Sequence, residues 1–180
     1  MANETRVTTG KVRFSFVNIF EAKTFGDNTD AKYSIMALIP KTDVATIERM
    51  KKAIDAAAQK GLQTKFNGKM PVVLKNTLKD ADKDTDLDGV LLSDKWPETK
   101  GHYVINLSTR TKPQVVDASL NPIIDPTEVY SGCYGRVSMN FYAYNNNGNK
   151  GISAGLNNVQ KLEDGEPLGG TTTAAADFAN

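Results

Sequence analysis

Residues 134–145, Tyr-Gly-Arg-Val-Ser-Met-Asn-Phe-Tyr-Ala-Tyr-Asn, alternate between two kinds of side chain. Val137, Met139, Phe141 and Ala143 fall on one face of an extended chain, and Arg136, Ser138, Asn140, Tyr142 and Tyr144 fall on the other. Successive side chains of a strand point to opposite faces, and a one-residue slip would exchange them. The stretch therefore reads as a long strand whose apolar face suits the interior of a small barrel. Its second face is neither a core nor a plain solvated surface. It places a cation and hydrogen-bonding groups beside two aromatic rings. A single nucleic-acid strand needs that combination, because bases stack on rings at about 1–3 kcal/mol each while Arg and Lys follow the phosphates. Tyrosine also favours strands for packing reasons alone, so the neighbouring segments must carry part of the case.

Downstream, residues 145–149 with Gly148 form a hairpin tip, and residues 151–162 form the return strand, interrupted by Gly155 as at a bulge or barrel corner. Upstream, residues 102–110 form a strand with Tyr103, Ile105 and Leu107 inward, leaving His102, Asn106, Ser108 and Arg110 outward with Lys112 just beyond. Residues 114–117 form a short strand after Pro113. In residues 11–20, Val12, Phe14 and Phe16 share a face opposite Lys11, Arg13 and Ser15. Phe14 and Phe16 fit either a core or a stacking pair, and Phe20 fits a core. Residues 31–39 make a second, more buried strand ending at Pro40, and Lys23, Phe25, Lys32 and Tyr33 put basic and aromatic neighbours around the hairpin between these two strands.

One helix is expected at about residues 44–60. Asp43 caps it, Val44, Ile47, Met50, Lys51 and Ile54 form its stripe, and Gly61 supplies its stop. The fold class that follows is mainly β with one α-helix. It is an oligonucleotide-binding (OB)-like antiparallel barrel of five or six strands with long loops. Residues 1–162 form the domain, including an irregular acidic loop at about 76–100. Residues 163–180 read as a flexible acidic tail whose Gly, Thr and Ala cannot build a core.

The net charge of the 180 residues is +1. Its distribution is uneven, with 13 Lys/Arg against 7 Asp/Glu in residues 1–75 and none against 4 in residues 163–180. A near-neutral total is compatible with nucleic-acid binding when the positive charge is grouped. No run of residues is long and apolar enough to span a membrane. One His and one Cys leave no usual zinc set, a Ser or Cys nucleophile would have to use His102 as its base, and no G-x-S-x-G or phosphate-loop motif is present. An enzyme is accordingly not expected, and no cofactor is called for. Asp84, Asp86 and Asp88 before Gly89 match the first half of a calcium loop. The twelfth position, however, is Lys95 where a bidentate Glu is required, so a solvated acidic loop is the favoured reading. Trp96 fits either an exposed stacking residue or a plug in the barrel.

Several short motifs occur in a characteristic order: Gly10-Lys-Val-Arg-Phe-Ser-Phe, Tyr33 to Pro40, Lys112-Pro-Gln-Val-Val-Asp, Tyr130-Ser-Gly-Cys-Tyr-Gly-Arg-Val and Gly151-Ile-Ser-Ala-Gly-Leu-Asn-Asn-Val-Gln-Lys. In this the chain resembles the bacteriophage single-stranded-DNA-binding proteins of a group first catalogued as a domain of unknown function. The resemblance implies an OB barrel that coats single strands without sequence preference in replication or recombination, in the cytoplasm of a bacterial host. The tail, with Asp177 and Phe178 near its end, is similar to the acidic tails through which such proteins contact phage or host replication partners. The alternative is a phage structural or assembly barrel that binds no nucleic acid. Monomer and dimer are both open.

Overall fold

The computed structural model describes residues 4–24, 31–72 and 74–168. Its strands are β1 (Arg6–Thr8), β2 (Val12–Lys23), β3 (Lys32–Pro40), β4 (Lys75–Asn76), β5 (Leu78–Asp80), β6 (His102–Thr109), β7 (Gln114–Val116), β8 (Tyr134–Asn146) and β9 (Asn149–Glu163). The helices are α1 (Val44–Thr64), between β3 and β4, and the short α2 (Leu92–Lys95).

Pairing runs β2–β3–β6–β9–β8 and returns from β8 to β2, closing a five-stranded barrel. Closure removes the open edges that a free sheet would expose. The β6–β9 seam is parallel, at Ser108↔Gly155, so the all-antiparallel expectation is corrected there. The other strands are additions: β1 on β8, β4 and β7 on β9, and β5 on β6. Topology and seam are those of an OB barrel.

The alternation read in residues 134–145 is realised. Val137, Met139 and Phe141 are buried inside, with Ile35, Ala37 and Ile39 of β3, Ile105 and Leu107 of β6, and Ile152, Ala154 and Leu156 of β9. Asp43 caps α1, its carboxylate accepting from the Thr46 backbone N–H at 3.2 Å. Ile47, Met50, Ala53, Ile54 and Ala57 turn inward, whereas Val44 is exposed. Gly61 is not the helix stop. The helix runs through it to Thr64, and the glycine serves instead to let the Ala143 methyl and the Phe66 ring approach where a Cβ would clash. The chain leaves the helix after Lys65 through Asn67 and Gly68, both at positive φ (55° and 80°).

In β2 the reading of one shared face fails. Phe14 is fully buried, but the register shifts between Ser15 and Asn18, and the chain turns through φ 47° at Phe16. The extra residue of this bulge reverses the alternation, so Ile19 returns to the core while Phe16 is turned out. Phe14 is therefore a core residue, and only Phe16 is presented.

Two further corrections concern segments read as loose. The acidic loop is folded back on the outer face of the barrel, where Ala81 and Leu92 pack with Met36, Leu38 and Val104 under Trp96. Lys41 fastens it with ion pairs of 2.8 Å to Asp80 and to Asp82. The hydrogen bonds that the Lys41 ammonium donates to these two carboxylates raise its pKa above the ordinary lysine range. Residues 163–168, assigned to the tail, also dock. Leu168 donates its backbone N–H to Ser131 O at 2.9 Å, Gly165 N–H donates to the Tyr130 hydroxyl at 3.1 Å, and Asp164 pairs with Lys161 at 2.6 Å. Phe25, Asp177 and Phe178 lie outside the described residues.

Candidate nucleic-acid interface

Strand register assembles one row of outward residues across the barrel: Asn18 on β2, Ser34 on β3, Ser108 on β6, Gly155 on β9 and Asn140 on β8. The β3–β6 pair Met36↔Asn106 stands two residues along the strands. All five members of the row are small or carry an amide, so this floor is shallow and rich in hydrogen-bonding groups. Phe16, Asn18, Ser34, Met36, Trp96, Asn106 and Ser108 line a cavity of about 400 Å³ on it, with no charged group in the lining.

Aromatic rings stand at both ends of the row. At the β2 end Phe16 meets Trp96 edge to face, with ring centres 5.4 Å apart and planes at 67°. A bulky residue at positive φ is strained, and here the strain turns out a ring that stays 48% exposed. Trp96 is half-buried over the Met36–Leu38 cluster, so it both covers the barrel wall and offers an edge to the cavity. Lys95 Nζ lies 5.1 Å from the Trp96 ring centre and pairs with Asp86 at 3.2 Å. The backbone N–H of Val90 holds the Asp86 carboxyl below the usual range, helped by the Lys95 ammonium and the Asp88 N–H. Asp86 thus stays anionic and steadies the cation beside the ring. At the β8 end Tyr142 is 49% exposed. A Cβ on Gly155 would sit 3.8 Å from the Tyr142 ring, so the absent side chain leaves the floor open up to that ring.

The remaining residues expected at a site divide. Lys23 and Lys32 face each other across the β2–β3 ladder, next to the segment containing Phe25. Arg110 follows directly on β6, whose Thr109 pairs with the half-buried Tyr33. These groups surround one end of the barrel near the Ser34–Ser108 row. Tyr144 is half-buried over Gly151, where a Cβ would come within 2.6 Å of its hydroxyl, so it is packed rather than open.

Arg136, Arg13, His102 and Lys112 are not brought to this row. Arg136 Nε donates to Thr9 O at 2.9 Å, and six residues, about 20 Å of strand, separate it from Tyr142. Arg13 donates from Nε to Gly132 O at 3.1 Å and from Nη2 to Glu166 O at 2.7 Å, and lies over Tyr134. It fastens the 163–168 segment. His102 sits at the far end of β6 opposite Pro40, with Nδ1 donating to Lys100 O at 2.8 Å. Lys112 lines a separate cavity of about 280 Å³ with Phe20, Pro113 and Ile123. Asp84 and Asp86 accept backbone N–H groups of Asp80, Asp88 and Val90, and among the described residues no His, Cys, Asp or Glu group is arranged to hold a metal. Asn18, Ser34 and Met36 were missed. The period-2 alternation of residues 31–39 could have exposed the last two, but a run so apolar reads as buried on both faces.

Comparison with known proteins gives one consistent picture. The chain is 28% identical over 178 residues to putative protein p50 of Acyrthosiphon pisum secondary endosymbiont phage 1, covering 96% of this chain and 91% of that protein. Its structure is similar to that of the single-stranded DNA-binding protein from bacteriophage Enc34 in complex with ssDNA, with a TM-score of 0.77 and 26% identity over 92% of this chain and 90% of the other. The fold is also shared with gp2.5, a single-stranded DNA-binding protein of bacteriophage T7, at a TM-score of 0.63 and 14% identity over 96% and 93% of the two chains. The family model described as Enterobacter phage Enc34, ssDNA-binding protein, matches residues 5–180, and the chain belongs to that family.

Proposed function

We propose that this protein binds single-stranded DNA without sequence preference and coats it during phage replication or recombination in the cytoplasm of the bacterial host. The observation that carries the reading is the shallow amide- and hydroxyl-bearing floor running from the Phe16–Trp96 pair to Tyr142. Flat π-faces accept any base, and a low polar floor admits bases without selecting one by shape. Lys23, Lys32 and Arg110 at the rim supply charge for the phosphates. Family membership supports the same reading. The role is binding rather than catalysis. Contacts with replication proteins are assigned to the tail that contains Asp177 and Phe178.

Trp96 is the only tryptophan and stands at the floor, so it reports directly. Oligo(dT) is expected to quench its fluorescence to saturation, with affinity falling steeply as salt rises and duplex competing poorly. Absence of both quenching and a gel shift at low salt would sink the proposal.

A further inference from the structure

Tyr142 has two different surroundings. On one side its ring adjoins the open position at Gly155, and on the other it lines a cleft of about 410 Å³ between the C-terminal half of α1 and β8. Thr5, Lys60, Thr64, Lys65, Asn140 and Tyr142 are the polar members of this lining, and no acidic residue is among them. Lys60 and Lys65 are exposed and neither ammonium forms an ion pair with another described residue. Asn140 closes the floor row at β8, and its side-chain oxygen is buried without a hydrogen-bond partner among the described residues.

The C-terminus of a helix repels anions, with an effect near half an elementary charge. Two ammonium groups outweigh it. The end is also partly quenched, because Gly61 O accepts from Lys65 and Phe66 N–H, Leu62 O from Gly68 N–H, and Lys65 O from Asn145 Nδ2.

We propose that this cleft is a second nucleotide subsite, which takes the strand onward past Tyr142. Lys60 and Lys65 bind its phosphodiesters beside the Tyr142 ring. The inference rests on the reading of the floor as the main DNA site and extends it, so strands that fill only the floor never reach the two lysines.

The test uses the full chain and a K60Q/K65Q double variant, titrated with oligo(dT) of increasing length at several salt concentrations. A K52Q/K69Q variant controls for net charge, since both lysines are exposed and outside the cleft lining. Short strands are expected to bind all three proteins alike. Beyond a threshold length, K60Q/K65Q alone should lose affinity, with a salt slope shallower by about 1.4 for two phosphate contacts. Equal affinity and slope at every length, or the same loss in the control variant, would overturn the subsite while leaving the main site standing. No binding of the unmodified chain to any length would instead remove the main site. Circular dichroism of each variant establishes that loss of fold is not the cause.

Discussion

The two ends of the long β8 strand use polar and aromatic side chains in opposite ways. Near its start Arg136 is tied to the Thr9 carbonyl, and on β2 beside it Arg13 is tied to the carbonyls of Gly132 and Glu166. These cations close the structure on itself. Near its end Tyr142 stands half exposed beside the open Gly155, and across the barrel Phe16 is turned out by a bulge. A cation on the outer face of a barrel strand is thus not by itself a phosphate contact, because backbone carbonyls compete for it. A ring that stays half exposed in a strained backbone is stronger evidence, because its ring contact with Trp96 leaves much of its surface open.

The sharpest way to break this comparison is to treat Phe14 and Phe16 alike. Phe14→Ala opens a cavity in a fully buried site and is expected to cost about 3–5 kcal/mol of stability in urea denaturation. Phe16→Ala should leave stability within about 1.5 kcal/mol but weaken oligo(dT) binding by about 1–3 kcal/mol, and Tyr142→Ala should do the same. Equal destabilisation by both phenylalanine variants, with DNA affinity unchanged in Phe16→Ala, would place the working face elsewhere.

These two residues also mark what the sequence could carry. The strand β3 stands out as an apolar run and β9 as the return of a hairpin, whose inner face shifts between Leu156 and Val159. Alternation alone located β6 and β8, whose inner residues are Ile105 and Leu107, and Val137, Met139 and Phe141. It failed at Phe16, since a bulge is a backbone event and the residues flanking it, Ser15 and Val17, hold no Gly or Asn to announce it. The extent of α1 was misread at Gly61 for a similar reason. A glycine permits both a helix stop and a close approach, and only the position of Ala143 decides between them. For the cations strand parity is not enough, because a long Arg side chain takes whichever carbonyl lies within reach.

Arg136 gives a smaller and more discriminating effect. Its tie to Thr9 predicts that Arg136→Gln loses about 1 kcal/mol of stability and leaves the salt slope of DNA binding unchanged. The sequence pattern alone leads to the opposite expectation, a slope lower by about one unit. A measured fall of that size would carry the strand across the β1 side of the barrel and merge the two ends of β8 into one surface.

The smallest expected effect tests whether residues 163–168 are part of the domain. The Lys161 ammonium, and then the Tyr130 hydroxyl, hold the Asp164 carboxyl below its ordinary range in the folded chain. A carboxyl depressed by folding stabilises the native state above its unfolded pKa, and that contribution disappears as pH falls through the folded value. Asp164→Asn should therefore melt slightly below the parent protein at neutral pH, and the gap should close in acid. Because the Asp164 end of the pair is exposed, salt should narrow the gap as well. The same strap receives Arg13 through the Glu166 carbonyl, a contact that does not involve the Asp164 carboxyl. Acid is thus expected to loosen the strap without releasing it, and DNA binding in Asp164→Asn should match that of the parent. A variant that melts like the parent at every pH would mean that the Ser131 carbonyl, the Tyr130 hydroxyl and Arg13 hold the segment without the ion pair.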